Sequence, residues 1–392
     1  MADLFAAASA RETAVGRKTH ENEARAWDRY TRWCELVGIR DDPFLDGFSR
    51  QHRIEIMGAF AMAIREGRFS RRNDDPLAQK SVTNTLNFVA ATFREHGRED
   101  PKKDVDNNVA RLLRRQLRSY KKDDPKKVEQ KALPLCVIRL ILSDRSSELQ
   151  RAMGDLVAAA HFWAMRSCEY LKVPKQDQRQ TKLLCLRNIA FIKDGKHIDH
   201  SSPNLHRADC VSVTFERQKN ERKWDTVTQW KTADPVLCPV KIWASIVRRI
   251  LSYDGTNQNS PVSLVLHRNK LISVTSDMII NLIRDGVVGI GETKLGIERW
   301  EVGTHSIRSG AAMAMYLADV PIFSIMLIGR WSSTAFLNYI RKQVQEFSHG
   351  ISSKMIEIQS FKHVQNPLSG HYPTSTHPTK TIGGDSFAVT VA

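Results

Sequence analysis

The sequence predicts a mainly α-helical protein with a small antiparallel β-sheet, and three observations support this fold class. Apolar residues recur at helical spacing over three stretches of the N-terminal third. Two pairs of short stretches near the middle have the residue pattern of strands joined by tight turns. Hydrophobic residues make up 41% of the 392 residues and charged residues 26%, so the chain can bury ordinary cores in about two or three domains.

Three helices are predicted in the N-terminal third, each with one apolar side. The first ends at Gly38, the second ends at Gly67, and the third spans about Gln79 to His96. Their apolar residues are Trp27, Tyr30, Cys34 and Val37; Ile54, Met57, Ala61 and Ile64; and Val82, Phe88 or Val89, and Phe93. A fourth helix is predicted for the first half of the basic run RLLRRQLRSYKKDDPKK. Its apolar stripe consists of Leu112, Leu113 and Leu117.

The chain is strongly basic. Lys and Arg outnumber Asp and Glu by 59 to 43, which gives a net charge of +16 and a pI near 9.7. An excess of this size favours a polyanionic partner, and nucleic acid is the commonest one; a basic protein with merely solvated charges is the alternative. The cations predicted to face double-stranded DNA are Arg65, Arg68, Arg71, Arg72, Arg114, Arg115, Arg118, Lys121 and Lys122.

Membrane and secretory classes do not fit this sequence. No run approaches the ~18 apolar residues of a membrane span. The N-terminus carries Asp3, Arg11 and Glu12 where a signal peptide needs an unbroken apolar stretch. The six cysteines are scattered without a C-x-x-C pair, which indicates reduced thiols and no zinc site. We therefore expect an intracellular protein without a membrane partner, nuclear if its host is eukaryotic.

Changes in composition divide the chain into four parts. Residues 1–118 are predicted to form the helical N-terminal domain, and residues 119–131 a charged linker. Residues 132–362 form the second domain, which turns apolar after Pro134. Residues 363–392 are rich in Pro, Ser, Thr and Gly and are predicted to be disordered.

The second domain is predicted to combine a buried helix with two pairs of strands. The helix spans Leu156–Met165. One hairpin joins Leu184–Ile192 to His197–Ile198 through a turn at Asp194-Gly195. The second pair flanks the charged segment QKNERKW, and beyond it the chain is predicted to be helical to about residue 360.

The residues that could carry chemistry concentrate near the end of the second domain. His305 and Arg308 are three residues apart at the start of a predicted helix, so both can point from the same end of it. Pro321 begins a further short helix, which Gly329 ends. The last predicted helix carries Tyr339 in the segment NYIR.

This arrangement resembles the tyrosine recombinase (phage integrase) superfamily. Its signature is H-x-x-R, a glycine turn about twenty residues later, and a tyrosine about eight or nine residues further on. The wording GRWSSTAFLNYIR is most similar to the integrases of eukaryotic mobile elements of the Crypton and DIRS type. By motif the resemblance covers about residues 132–345; for residues 1–130 it is only architectural.

The resemblance implies two upstream motifs, and both are present. An R-x-x-E-x-L motif runs from Arg166 to Leu171, and its Glu169 is a further candidate residue that could pair with Arg166. A lysine is expected in a hairpin turn between this motif and the H-x-x-R segment. Lys219 fits that position, with Lys223 as the alternative.

Each matched residue has an implied role. Arg166 and Arg308 would neutralise the non-bridging oxygens of the scissile phosphate, for which forked guanidinium donors are well suited. His305 would add a donor or proton acceptor, and Lys219 would protonate the departing 5′ oxygen. Tyr339 would attack phosphorus to form a 3′-phosphotyrosine, which keeps the energy of the broken bond. Religation then requires neither ATP nor Mg²⁺, so we expect no cofactor, no metal and no small-molecule substrate.

The glycine turn departs from the usual family pattern, which places His or Trp after the glycine. Here the order is Gly329-Arg330-Trp331. Spacing from Tyr339 points to Arg330 as the equivalent residue, whereas residue type points to Trp331, whose indole N–H can contact phosphate. We favour Trp331 and keep Arg330 as the alternative.

The implied protein is a DNA integrase of a mobile element, active in recombination and transposition. Its helical N-terminal DNA-binding domain and integrase-type catalytic domain would form a C-shaped clamp on the duplex. An apolar stripe after Tyr339 would dock on a neighbouring protomer, giving a homo-tetramer on two DNA sites; docking within the same protomer is the alternative. The stripe consists of Val344, Phe347, Ile351, Met355 and Ile358. A domesticated, non-catalytic DNA-binding protein and a type IB topoisomerase are the rival functions.

Overall fold

The computed structural model describes residues 17–69, 76–125, 130–173, 181–218, 223–333 and 337. Several predictions concern residues outside these ranges: Tyr339, Lys219, Arg71, Arg72, the apolar stripe after Tyr339 and the tail 363–392. Across the described ranges, no helix combines the length and the apolar character that crossing a membrane would need.

The described residues form a mainly helical protein with a small antiparallel sheet, as predicted. The helices are α1 Arg17–Leu36, α2 Arg50–Arg65, α3 Gln79–Glu95, α4 Arg111–Asp123, α5 Leu135–Ser143, α6 Glu148–Phe162, α7 Ser167–Tyr170, α8 Pro239–Leu251, α9 Ser276–Ile290, α10 Glu292–Leu295, α11 Thr304–Leu317 and α12 Ile322–Gly329. The strands are β1 Ile189–Lys193, β2 Lys196–Ile198, β3 Cys210–Arg217, β4 Lys223–Trp230, β5 Leu264–His267 and β6 Lys270–Ser273.

Helices α1 to α4 enclose one hydrophobic core, and the apolar periodicity predicted it well. Tyr30, Met57, Val89 and Phe93 are fully buried there. Val37 is the exception: α1 ends at Leu36, and the Val37 residue is 49% exposed. The reason is local, because Gly38 adopts φ +79° and turns the chain away one residue after Val37.

Helix α4 continues to Asp123, past residue 118 where the predicted first domain ends. The helix continues into residues 119–123, which were predicted to be linker, because the Tyr120 ring packs in the first core. Leu113 is also buried, whereas Leu112 is exposed and does not belong to the apolar stripe. Asp124, just beyond the helix, accepts hydrogen bonds from the Arg65 guanidinium and from the backbone N–H of Gln79 at 2.9 Å. Residues 119–123 are therefore ordered helix.

The main sheet has four antiparallel strands in the order β2-β1-β3-β4. The first predicted hairpin turns at Asp194-Gly195 as expected, and both residues there have positive φ. Its first strand begins at Ile189 rather than at Leu184, because Leu186–Asn188 forms a 3-10 turn. The alternation in β3 buries Val211, Val213 and Phe215 against the second core. A second hairpin, β5–β6, lies in a region predicted to be helical, so that part of the prediction is wrong.

The second hydrophobic core lies between α6, α8 and the sheet. The rings of Trp163 and Trp243 meet edge to face there, with centroids 5.8 Å apart. The indole N–H of Trp163 donates to the carbonyl of Val227 at 2.8 Å, which joins the end of α6 to β4. The residues that follow α6 are thereby held against the sheet.

Segment 131–133 is hydrogen-bonded directly to the start of α11. The N–H of Lys131 donates to the carbonyl of Glu301 at 2.8 Å, and the N–H of Leu133 donates to that of Ser306 at 2.9 Å. Gly310 allows this approach, because a Cβ at that position would lie 2.4 Å from the carbonyl oxygen of Leu133. A side chain there cannot be accommodated without moving backbone.

Candidate active site

Four segments that are far apart in the sequence bring their side chains into one cluster. They are the R-x-x-E motif after α6, the end of β3, the first turns of α11 and the end of α12. The cluster, which we call the arginine cluster, contains Arg166, Glu169, Gln218, Arg308 and Arg330. His305 and Trp331 adjoin it.

Glu169 is the anion at the centre of the arginine cluster. Its carboxylate accepts from the side chain of Arg166 at 2.9 Å, from that of Arg330 at 2.7 Å, and from the backbone N–H of Arg166 at 2.8 Å. Burial raises the pKa of this carboxyl, but the charges of Arg330, Arg308 and Arg166 outweigh burial and lower the pKa. Glu169 is therefore ionised and fixes the guanidinium groups around it.

Arg330 is the most deeply held of the cluster's arginines, with 1% of the residue exposed. It ends α12 in the left-handed conformation at φ 56°, which turns its side chain inward. The guanidinium rests on the Phe215 ring at 3.7 Å and donates to the carbonyl of Trp163 at 2.8 Å and the side chain of Gln218 at 3.0 Å. Burial lowers its pKa from the usual value, although the charge of Glu169 opposes this effect.

Arg308 lies on α11 and is 2% exposed. Its guanidinium donates to the backbone carbonyls of Ala164 and Gly329, the latter at 2.5 Å. The Trp331 ring stacks against it with 4.4 Å from the guanidinium carbon to the ring centroid. Trp331 can lie there because residue 329 is glycine: a Cβ at Gly329 would fall 1.7 Å from the indole.

His305 lies on the first turn of α11, on the solvent side of Arg308. The imidazole is accessible, yet the surrounding protein removes part of its water. This partial desolvation, followed by the charges of Arg308 and Arg166, lowers the pKa of His305 below its usual value. The lowered pKa favours the neutral imidazole, which can accept a proton.

Gln218 and Asp225 also belong to the site, although no sequence motif contains them. The amide of Gln218 accepts from Arg330 at 3.0 Å and from Arg166 at 3.4 Å, and donates to the carboxylate of Asp225 at 2.8 Å. A glutamine in a polar turn has no recognisable spacing, so the signal was absent from the sequence. Lys223, the alternative lysine, begins β4 opposite Arg217 and is exposed.

Seven of the nine predicted DNA-facing cations lie in the described residues, and they divide into three groups. Arg114, Arg115, Arg118, Lys121 and Lys122 are exposed on α4, as a DNA-binding role requires. Arg65 is buried and hydrogen-bonded to Asp124 and to the carbonyl of Leu77 at 2.6 Å, which contradicts its assignment to an exposed surface. Arg68 is exposed but paired with Glu66 at 2.6 Å.

The arginine cluster carries more positive than negative charge, which makes it suited to an anion. Arg166 is the arginine most accessible to a ligand, since 21% of its side chain is exposed. Three guanidinium groups surround a single central carboxylate, and Asp225 lies behind Gln218. Preorganised guanidinium groups in a partly dry site stabilise the negative charge that develops on a reacting phosphate.

No protein-family model and no curated protein matches the chain. Among solved structures, the chain is similar to the Tn1549 transposon integrase in complex with circular intermediate DNA, with 12% identity, a TM-score of 0.45 and coverage of 82% of this chain and 99% of that one. It is similar to the XerH site-specific recombinase bound to difH, with 12% identity, a TM-score of 0.46 and coverage of 84% and 78%. A lambda integrase tetramer bound to a Holliday junction matches with 13% identity, a TM-score of 0.33 and coverage of 81% and 76%.

Proposed function

We propose that this protein is a tyrosine-type DNA recombinase that cleaves and rejoins DNA through a 3′-phosphotyrosine at Tyr339. One observation supports this most: Arg166 and Arg308, selected from separate sequence motifs, meet in one cluster. Arg166 donates to Glu169 at 2.9 Å, and Arg308 donates to the carbonyls of Ala164, two residues before Arg166, and Gly329. An isolated H-x-x-R or R-x-x-E motif is common, but two that meet in one cationic cluster suit a phosphate-handling site.

In the proposed reaction the phenol oxygen of Tyr339 forms a bond to phosphorus while the bond to the 5′ oxygen breaks. The phenol loses its proton, and the neutral imidazole of His305 is an acceptor for it. The leaving 5′ oxygen gains a proton from Lys219. Religation reverses each transfer, with the freed 5′ hydroxyl as the nucleophile, so no bond energy has to be supplied from outside.

The two arginines would contribute differently to this reaction. Arg166 is partly exposed, and its guanidinium is oriented by Glu169, so it is ready to meet a phosphate. Arg308 is covered by Trp331 and donates to two backbone carbonyls, so it would exchange these partners when DNA binds. Arg330 is held by its hydrogen bonds to Glu169, Gln218 and Trp163, so Trp331 is the better candidate to contact the phosphate.

The proposal also covers how the protein holds DNA and which kind of mobile element it serves. The exposed cations of α4 would track the DNA backbone, and the two domains would clamp the duplex. The apolar stripe after Tyr339 would join protomers into a tetramer on two DNA sites. The wording of the GRWSS segment supports a Crypton-type or DIRS-type integrase that works in the nucleus of a eukaryotic host.

The test is covalent trapping on a suicide substrate nicked near the cut. With EDTA present, the wild-type protein should form a protein–DNA adduct, and Tyr339→Phe should bind DNA without forming it. Tyr316→Phe, at a half-exposed tyrosine on α11, is the matched control and should react normally. An adduct that persists in Tyr339→Phe, or that requires Mg²⁺, would contradict the assignment.

The same assay distinguishes the rival functions. A domesticated DNA-binding protein would give no adduct under any condition. A type IB topoisomerase would give the adduct and relax supercoiled DNA, but would not join two distinct duplexes. A recombinase gives the adduct and joins them.

A further inference from the structure

Gln218 is a buried amide whose orientation is set by its neighbours. Only 1% of the residue is exposed. Its Oε1 faces two guanidinium groups, which can only donate, and its Nε2 faces the carboxylate of Asp225, which can only accept when ionised. The reverse orientation would lose these hydrogen bonds, so the surroundings permit a single arrangement of the amide.

These contacts join both strands of the β3–β4 hairpin to the arginine cluster. Gln218 directly follows β3, and Asp225 lies in β4, where it pairs with Phe215. Arg330 adds a second attachment, because its guanidinium stacks on the Phe215 ring and bonds to Gln218 and Glu169. The end of β3 and the beginning of β4 are thus both attached to the arginine cluster.

Packing alone does not require an amide at this position. A leucine would fill similar volume without the cost of burying polar atoms, so the amide matters for where it holds its partners. A general acid must lie within hydrogen-bond reach of the atom it protonates, and a misplacement of about 1 Å can slow a reaction by roughly 10²-fold. Lys219, the predicted acid, directly follows Gln218 in the sequence.

We infer that Gln218 is a positioning residue for leaving-group protonation, acting by holding the end of β3 and the beginning of β4 against Arg166 and Arg330. This inference rests on the proposed function, and it concerns the proton transfer alone. Removing the amide should therefore impair departure of the 5′ oxygen more than it impairs binding or attack.

A bridging sulfur tests this directly. When sulfur replaces the 5′ oxygen at the scissile phosphate, the thiolate leaves without a proton, so any residue that serves protonation loses its importance. Gln218→Leu should cleave ordinary DNA about 10²-fold more slowly than wild type and cleave the sulfur-substituted strand within a few-fold of wild type. Lys219→Ala should show the same pattern with a larger defect.

Two further variants keep the result interpretable. Gln218→Glu retains acceptors for both guanidinium groups but sets a carboxylate against Asp225, so it should also be slow only on ordinary DNA. Gln229→Leu is the matched control: this glutamine of β4 bonds to the carbonyl of Phe162 at 2.8 Å, away from the cluster, and its loss should not distinguish the two substrates.

Equal slowing of Gln218→Leu on both substrates, or normal cleavage of both, would overturn the inference. Failure of the wild-type protein to form any adduct would instead refute the proposed function, so the two failures are distinguishable. DNA affinity and the midpoint of urea unfolding are measured for every variant, to check that each one is folded when its cleavage rate is compared.

Discussion

At the scale of single residues, the charge balance of the site depends on Glu169. One ionised carboxylate holds Arg166 and Arg330 by direct hydrogen bonds and lies in the field of Arg308. Removing one partner from a buried ionic cluster is costly, because the charges that remain are no longer compensated. This residue is therefore expected to support stability and arginine placement together.

We expect Glu169→Gln to lower the free energy of unfolding by about 3–5 kcal/mol, measured by urea denaturation. Arg330→Met should also destabilise the protein. The double variant should lose less unfolding free energy than the sum of the two single losses. The reason is that the second change removes the charge that the first left unpaired. Additive losses would show that the two side chains do not stabilise the protein as a pair.

Arg166 and Arg308 should be needed for cleavage more than for binding. Arg166→Ala and Arg308→Ala are each expected to reduce the rate of adduct formation by about 10²–10³-fold, with a smaller loss of DNA affinity. Arg139→Ala removes an exposed arginine that pairs with Asp234 on the surface, and should have no such effect. Near wild-type cleavage by either cluster variant would identify that arginine as structural.

At the scale of elements, Gly310 decides how closely α11 can pack against segment 131–133. Gly310→Ala places a methyl group 2.4 Å from the carbonyl oxygen of Leu133, which only a backbone shift can relieve. We expect a loss of roughly 1–3 kcal/mol in the free energy of unfolding, and slower cleavage because His305 and Arg308 lie on the displaced helix. Gly154→Ala in α6 is the control: its methyl meets ordinary contacts from 3.4 Å, so it should be tolerated or slightly stabilising.

Elements with a regular pattern could be predicted from sequence, and those governed by backbone conformation could not. Apolar periodicity located α1 to α3, and the Asp194-Gly195 turn located the first hairpin. The β5–β6 hairpin was missed because its strands have four residues each and its turn uses Arg268 and Asn269 at positive φ. Arginine is not a residue that marks such a turn.

The same distinction applies to the candidate site. Motif spacing selected Arg166, His305 and Arg308, which the fold brings to one place. It could not show that Arg330 turns inward, because a charged residue after a glycine is ordinarily solvated and its left-handed conformation has no sequence signal here. Gln218 became visible only through its tertiary contacts.

At the scale of the whole molecule, the net charge of +16 predicts DNA binding that weakens steeply with salt. The slope of log affinity against log salt concentration should fall by about 0.9 for each phosphate contact removed. We expect Arg114→Ala, Arg115→Ala or Arg118→Ala to produce this change in fluorescence-anisotropy titrations. Arg25→Ala, on α1 beside Glu21, should leave the slope unchanged. Unchanged slopes for all three α4 variants would remove that helix from the DNA interface.

Acid should destabilise the molecule before its carboxylates titrate, because histidine is buried in neutral form. Burial lowers the pKa of His161 to about 4, so the unfolded chain binds the extra proton first as the pH falls below the usual value of about 6.5. Relative to His161→Leu, the wild-type protein should lose about 2 kcal/mol of unfolding free energy between pH 7 and pH 5. Parallel stability curves for the two proteins would show that His161 is not buried as the neutral form.

The backbone hydrogen bonds from segment 131–133 to Glu301 and Ser306 connect the candidate site to the chain segment before α5. Backbone hydrogen bonds transmit a displacement directly, whereas a contact between flexible side chains would absorb the displacement through changes of rotamer. A displacement of Leu133 would therefore reach Ser306, which lies beside His305 in the first turn of α11. The positions of His305 and Arg308 thus depend on a segment that lies far from them in the sequence.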